Sequence, residues 1–475
     1  MTMLFSQNRI NSGHEELADY STIFCGVGPA AMGVFIAATR TGRLDSLLHR
    51  GVLLVEASAT LGAGSLGRYP ITANSLSEAF LEGAAAAPVR SWLNGVLTTQ
   101  PAARLQRLSE RRFPLLAGAN FLAEIGKGLT ARLSRSAQSG VRLHTKVEGV
   151  SRRRDGLWTV STRAESGGVV EFVAKNVVLG MGGQQLPSHY LQQEIEPGIR
   201  LAAYADKVAA SDFILRASDL ELTEYLWSRA REDASVEIAI MGGSHSAFST
   251  AMRLSSLIKS DGKNLPLMSV TIYHRSAIRL YYPSSQAAQK DDYVFDPIKN
   301  ICVDSGRVHR FGGLRYDAFD FIAPVLKKTE TISWLRMRRV GPANANPEGR
   351  SLHAELSSAD MIVAAFGYQP RLVPTVDERG HELVFRTDPD GALSTAGTGE
   401  VLDERGRVLA GLFAFGLGSG LRRSATAGGE ASYDGRLDGV WLYQHVVGEI
   451  MVDQLLGAED GSRRVDRRQA QATVG

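Results

Sequence analysis

The stretch Tyr20-Ser21-Thr22-Ile23-Phe24-Cys25-Gly26-Val27-Gly28-Pro29-Ala30-Ala31-Met32-Gly33 decides how the chain is read. An apolar run breaks into glycines and passes into the helix-forming VFIAATR. It returns as a second apolar run, Val52-Leu53-Leu54-Val55, that ends in Glu56. Periodicity and punctuation give strand, glycine turn, helix and strand. The turn has the spacing GxGxxA. Gly26 permits a tight turn, Gly28 lets backbone approach a ligand, and Ala31 is small enough for the helix to lie near the sheet. Pro29 and Ala30 open that helix, whose N-terminus favours an anion. Glu56, followed by Ala57, places two acceptor oxygens where a ribose hydroxyl pair would sit. The stretch reads as a dinucleotide-binding unit.

The same unit recurs near residue 235. Val236-Glu237-Ile238-Ala239-Ile240-Met241 is a predicted strand, Gly242-Gly243-Ser244-His245-Ser246-Ala247 a turn, and residues 248–258 a helix. The next strand, Val270-Thr271-Ile272-Tyr273, ends in His274-Arg275, with Arg279 close behind. One unit thus ends its second strand in an acid and the other in a base. A carboxylate accepts a free ribose and repels a 2′-phosphate, whereas a guanidinium pairs with that phosphate in a bidentate way. The first unit is therefore assigned FAD and the second NADPH. Ser244 replaces the middle glycine of the second fingerprint, where a side chain crowds a pyrophosphate unless it turns away or donates a hydrogen bond. His245 reads as a loop residue or a phosphate contact rather than a catalytic base.

Three further strands stop in glycine: Val177-Val178-Leu179 at Gly180-Met181-Gly182, Ile362-Val363-Ala364-Ala365-Phe366 at Gly367, and Phe413-Ala414-Phe415 at Gly416-Leu417-Gly418. The last, just before a helix expected over 437–456, implies that the chain returns late to its first domain. Helices are expected over 76–133. Strands around 141–147, 157–162 and 169–173 suggest a small antiparallel flap. Residues 281–324 mix aromatics, basic groups and glycines, which suits either a substrate or nicotinamide pocket or ordinary loop packing. The fold class is α/β, with two Rossmann-like dinucleotide-binding domains of three-layer ββα architecture plus the flap. The expected division is a disordered segment 1–19, FAD domain 20–210, NADPH domain 211–370, a second part of the FAD domain 371–458, and a disordered tail 459–475.

With 475 residues the chain has room for more than one sizeable core, and a net charge of +3 gives no electrostatic case for nucleic acid or an anionic membrane. The opening residues lack the apolar run of a secretory signal, and no stretch is long and uncharged enough to span a bilayer, so a cytosolic protein is expected. The two cysteines, Cys25 and Cys302, form no CxxC. A dithiol redox mechanism is excluded on that ground. Partners are expected to be a small-molecule substrate and O2, with neither nucleic acid nor membrane, and a homo-oligomer remains open.

Five segments in order, CGVGPAAMG with Glu56, VVLGMGGQ, IAIMGGSHSA with His274-Arg275, VAAFGYQP and FAFGLGSG, resemble the class B flavin monooxygenases and their N-hydroxylating relatives over nearly the whole chain. The resemblance implies that residues 416–420 approach the FAD and that Val147 gives backbone contacts to its adenine. It also implies that Arg68, Tyr69 and Asn74 belong to the loop beside the isoalloxazine, with Asn74 hydrogen-bonding a C4a-hydroperoxide. The FxGxxxHxxx(F/Y) signature of Baeyer–Villiger enzymes is missing around residues 180–189, so ring-expanding oxygenation is not supported. The activity expected is an NADPH-consuming monooxygenase acting on a small soft nucleophile, an amine nitrogen or a sulfur. The alternatives are a reductase that inserts no oxygen and a flavin-binding protein with a degenerate nicotinamide site.

Overall fold

The computed structural model describes residues 18–108, 112–261, 264–341, 351–424 and 428–457. The ends expected to be disordered lie outside these, except Ala18 and Asp19, and Asp19 accepts a hydrogen bond from Val173 N–H at 2.9 Å.

The opening unit forms as its sequence demands. Strand β1 (Tyr20–Cys25) is followed by helix α1 (Pro29–Arg40), and β2 (Val52–Val55) pairs in parallel with β1, Phe24 against Leu54. All four residues of β2 are buried, the pattern of a parallel strand covered on both faces. The parallel core of a nine-stranded sheet runs Gly140–Arg142, β2, β1, Val169–Leu179, and then Val408–Ala414. The late strand has therefore returned to the first domain.

Val169–Leu179 is one long strand with two functions. Its first half pairs antiparallel with Trp158–Ala164, which pairs in turn with Thr145–Arg152, making the flap. Its second half joins the parallel core. The segment expected as one strand around 141–147 is split into Gly140–Arg142 and Thr145–Arg152, broken at His144, whose φ is +50°.

The second sheet is wholly parallel, in the order Val208–Ala210, Met361–Ala364, Ser235–Met241, Leu267–His274, Leu335–Arg339. The helix His245–Asp261 follows the second fingerprint. A short antiparallel pair, Gly183–Gln184 with Gln369–Pro370, joins the two crossings between the domains.

The C-terminal helices clamp α1 onto the first sheet. They are Val440–Gln444 and Val446–Leu456, divided at His445, whose φ/ψ of −121°/−93° lies outside the helical region. A Cβ on Gly33 would lie 2.5 Å from the Tyr443 backbone, and one on Gly448 would lie 2.8 Å from the Ala37 side chain. Arg40–Glu449 and Arg43–Asp453 ion pairs line the same crossing. Gly33→Val is expected to overpack this contact and cost about 1–3 kcal/mol, read as a lower thermal midpoint and reduced flavin content. Among the described residues, no helix is long and apolar enough to cross a membrane.

Candidate cofactor and substrate site

At the first fingerprint, backbone is packed on backbone. Gly26 has φ +85°, and a Cβ there would sit 2.7 Å from the Gly180 carbonyl oxygen; one on Gly180 would sit equally close to that of Gly26. Gly26 N–H donates to Val55 O and Gly180 N–H to Cys25 O, each at 2.8 Å. Gly28 is the N-cap of α1, Pro29 follows at the first helical position, and no side chain caps the helix. The first-turn N–H groups lack intrahelical partners, as at any helix start. A Cβ on Gly28 would meet only the Gly64 Cα, at 3.6 Å. The glycine-rich loop that holds Gly64 is tied down by Gly62 N–H donating to Val27 O at 2.7 Å. Gly416, with φ +103°, comes against Ala30, and Gly418, with φ +85°, packs on the Gln369–Pro370 peptide. Gly26, Gly28, Ala30, Gly180 and Gly416 thus converge on the start of α1. Gly182, with φ +80°, lies just beyond, its carbonyl taking the Arg371 N–H at 2.8 Å.

Glu56 is aimed at this cradle. Its Oε2 accepts from Val27 N–H at 2.8 Å, and its Oε1 accepts from Ser58 N–H and Ser58 Oγ, both at 2.9 Å. The carboxylate is thereby oriented and keeps a lone pair on Oε2 for a ribose hydroxyl. Thr145 N–H donates to Glu56 O at 3.0 Å, bringing the strand of Val147 beside the acid, and Ala57 is exposed next to it. A side-chain-free groove, an open helix N-terminus and a fixed carboxylate together fit the adenosine and pyrophosphate of FAD.

Beyond the glycines, Arg68 and Asn74 are exposed and make no side-chain hydrogen bond among the described residues. Tyr69 instead faces the second domain. Its hydroxyl donates to Asp212 Oδ1 at 2.6 Å and accepts from Arg216 at 2.9 Å, while Tyr368, next to Gly367, donates to the same Asp212 oxygen at 3.0 Å. Arg216 also lies 4.8 Å from the centre of the Tyr69 ring. This cluster ties the loop of the first domain to the helix Ser211–Arg216.

The second fingerprint repeats the backbone logic. A Cβ on Gly242, whose φ is +147°, would lie 2.6 Å from Ala365 O, and one on Gly243 would lie 2.8 Å from that of His274. The Ser244 side chain is exposed and makes no hydrogen bond among the described residues, while its carbonyl accepts from Ala247 and Phe248 N–H. An exposed hydroxyl at this position can donate a hydrogen bond to a phosphate. Ser246 sits in the first helical turn, its carbonyl taking the Thr250 hydroxyl.

His245 Nε2 accepts the Arg315 N–H at 3.3 Å, which requires an unprotonated ring nitrogen. Desolvation, with the Arg315 charge beside it, pushes this histidine down to about 3. An unfolded histidine near 6.5 binds protons that the folded one refuses, so this part of the stability is lost as pH falls from about 6.5 towards 3. Buried His309, pushed down to about 4, acts in the same direction. Thermal midpoints are expected to fall between pH 7 and 5, and His245→Gln to show a shallower fall.

Arg275 projects from the end of Leu267–His274, exposed, with a hydrogen bond to Glu194 O, while His274 Nδ1 lies 2.9 Å from Ser276 O. The register of the next strand places Arg339 opposite His274, where its Nε donates to Arg275 O at 3.2 Å. Neither Arg275 nor Arg339 meets a carboxylate among the described residues. Two such guanidinium groups at adjoining strand ends fit a 2′-phosphate. Arg339 was not singled out in the sequence; its signal, the basic run Arg336-Met337-Arg338-Arg339, needed the strand register to acquire meaning.

Both cysteines are free and buried, and burial pushes the Cys25 thiol up to about 12. Cys302 moves the other way: burial raises its thiol, but hydrogen bonds from Ser305 and Arg310 outweigh that and hold it below the usual thiol value.

No family model matches the chain. It is 32% identical over 454 residues, 94% of its length and all of the relative's, to the CMP-5′-(3-aminopropyl)phosphonate hydroxylase of Streptomyces rubellomurinus. The chain belongs to the flavin-dependent N-hydroxylating monooxygenases. Solved structures share the fold at low identity. An ornithine N-hydroxylase of Kutzneria matches 92% of this chain and 98% of its own at 13% identity and a TM-score of 0.50. A cadaverine monooxygenase of Erwinia amylovora matches 92% and 94% at 13% and 0.53. The ornithine hydroxylase of Pseudomonas aeruginosa matches 92% and 98% at 15% and 0.51. As a member of this family the chain is an FAD- and NADPH-dependent monooxygenase, with a small molecule and O2 as co-substrates.

Proposed function

We propose that this monooxygenase hydroxylates the primary amine of a small substrate whose other end carries a phosphonate or phosphate group. The observation that carries this reading is the makeup of residues 279–316 where they meet the late segment of the first domain. Arg279 donates to Ser432 O at 3.1 Å, Asn300 Nδ2 to Ser432 Oγ at 2.9 Å, and the N–H groups of Phe311 and Gly312 to Glu430 Oε1, each at 2.9 Å. The wall so formed is basic and aromatic: Arg310 lies over Phe311 at 4.9 Å, and Phe311 packs on Tyr433 at 5.5 Å. Aromatic faces and guanidinium groups suit a planar base and an oxyanion. That chemistry agrees with the substrate named for the Streptomyces relative.

FAD, when bound, supplies the hydride acceptance and oxygen activation that no side chain can perform. The protein binds and orients the two dinucleotides. Glu56 and the glycines converging on α1 would hold FAD; Arg275, Arg339 and the helix beginning at His245 would hold NADPH.

The test is a substrate panel. NADPH-dependent formation of a hydroxylamine is measured with 3-aminopropylphosphonate, its CMP conjugate, ornithine, lysine and cadaverine. The reading expects the phosphonate amines to give the highest kcat/KM. Preference for ornithine, lysine or cadaverine would refute it.

A further inference from the structure

Arg315 carries a charge that the fold leaves unanswered. It is the N-cap of the helix Tyr316–Leu326, and its backbone is held by the His245 ring. Its guanidinium lies over the Tyr281 ring at 4.9 Å, and its Nε is sealed from solvent with no hydrogen-bond partner. Among the described residues no carboxylate lies within ion-pair distance of it. The nearest acid to act on it, Glu430, is fully buried and already accepts two backbone N–H groups on one oxygen, and Arg307 adds charge of the same sign. Withdrawing a guanidinium from water without a counter-ion is costly, and such a site is completed by an anion. Arg279 stands in the same wall, held to Ser432 O and sharing no ion pair among the described residues.

We propose that Arg315 is the anchor for a phosphate or phosphonate oxyanion entering between the two domains, with its planar fork taking two oxygens of that group. The inference rests on the reading of the chain as an NADPH-consuming hydroxylase of anionic amines. Two ligands bring this chemistry. The link from Arg315 to His245, at the start of the second fingerprint helix, suits the pyrophosphate of the nicotinamide cofactor. The neighbouring Tyr281, Tyr316 and Arg279 suit the anionic end of the substrate.

The experiment is calorimetric titration of the FAD-loaded full chain and its Arg315→Met and Arg315→Lys variants. The probes are NADP+, CMP, 3-aminopropylphosphonate and adenosine 2′-monophosphate. In Arg315→Met, Kd is expected to rise about tenfold or more for NADP+ or for the CMP and phosphonate probes. The lysine variant should fall between Met and wild type, because it keeps the charge and loses the fork. Adenosine 2′-monophosphate, read by Arg275 and Arg339, should be unaffected. A loss confined to NADP+ assigns the anchor to the cofactor, and a loss confined to CMP and the phosphonate assigns it to the substrate. Unchanged affinity for all the probes, or an equal loss for adenosine 2′-monophosphate, would overturn the proposal. If the methionine variant does not fold, the lysine variant decides in the same way. The titrations need no turnover, so a chain that failed to hydroxylate any amine would still answer them.

Discussion

Glu56→Arg is expected to purify without FAD and to take up almost none when it is offered. The substitution removes a charged acceptor for a ribose hydroxyl, a bond contributing about 1.5–3 kcal/mol, so a loss of roughly 10- to 100-fold in affinity follows from that contact alone. It also frees Val27 N–H and both donors of Ser58, which the carboxylate now ties to the fingerprint. Glu56→Gln separates the two contributions, since it keeps an acceptor and loses the charge, and should retain FAD weakly. The measurement is the ratio of flavin to protein absorbance after gel filtration, with circular dichroism to establish that the fold persists.

The second large effect concerns the reductant. Arg275→Ala combined with Arg339→Ala removes both guanidinium groups at the strand ends of the second sheet, one on each of two neighbouring strands. A charge-assisted contact to a 2′-phosphate contributes about 1.5–3 kcal/mol, so kcat/KM for NADPH should fall roughly 100-fold or more in the double variant. NADH lacks that phosphate, and its kcat/KM should stay near the wild-type value. Equal losses for both reductants would mean that the arginines hold the domain together rather than read the phosphate.

The parts legible in the sequence were those whose meaning is local. A strand, a glycine turn, a helix and the charge ending the next strand lie within a few dozen residues, so the placing of Glu56 and Arg275 needed no knowledge of distant contacts. The return of Val408–Ala414 to the first sheet was also readable, because a strand that stops in glycines announces a cofactor edge wherever it occurs in the chain. Other features depended on pairings that no local pattern encodes. Arg339 becomes Arg275's neighbour only through the register of two parallel strands, and Arg315 meets His245 across 70 residues. Val169–Leu179 was read as two pieces because Ala174-Lys175-Asn176 interrupts its apolar pattern, yet that interruption is where the strand exchanges flap partners for core partners. The resemblance assigns Tyr69 to the loop beside the isoalloxazine; the engagement of its hydroxyl by Asp212 and Arg216 depends on contacts between the two domains that no local pattern encodes.

The tie between those domains bears on catalysis. Asp212 receives two tyrosine hydroxyls, one from each side of the crossing, and Arg216 closes the ring. The loop of Gly62, Gly64 and Tyr69 is thereby fastened to the domain proposed to hold the reductant. Fixing reacting groups relative to one another is the protein's main contribution in a cofactor enzyme.

Electrons from NADPH are spent on placing one oxygen atom on the substrate. The most direct measurement is mass spectrometry of the product formed from NADPH, isotopically labelled O2 and a phosphonate amine, alongside counts of NADPH consumed and peroxide released. One labelled oxygen on nitrogen for each NADPH oxidised is the expected result. NADPH consumption that yields only peroxide and returns the amine unlabelled would contradict it.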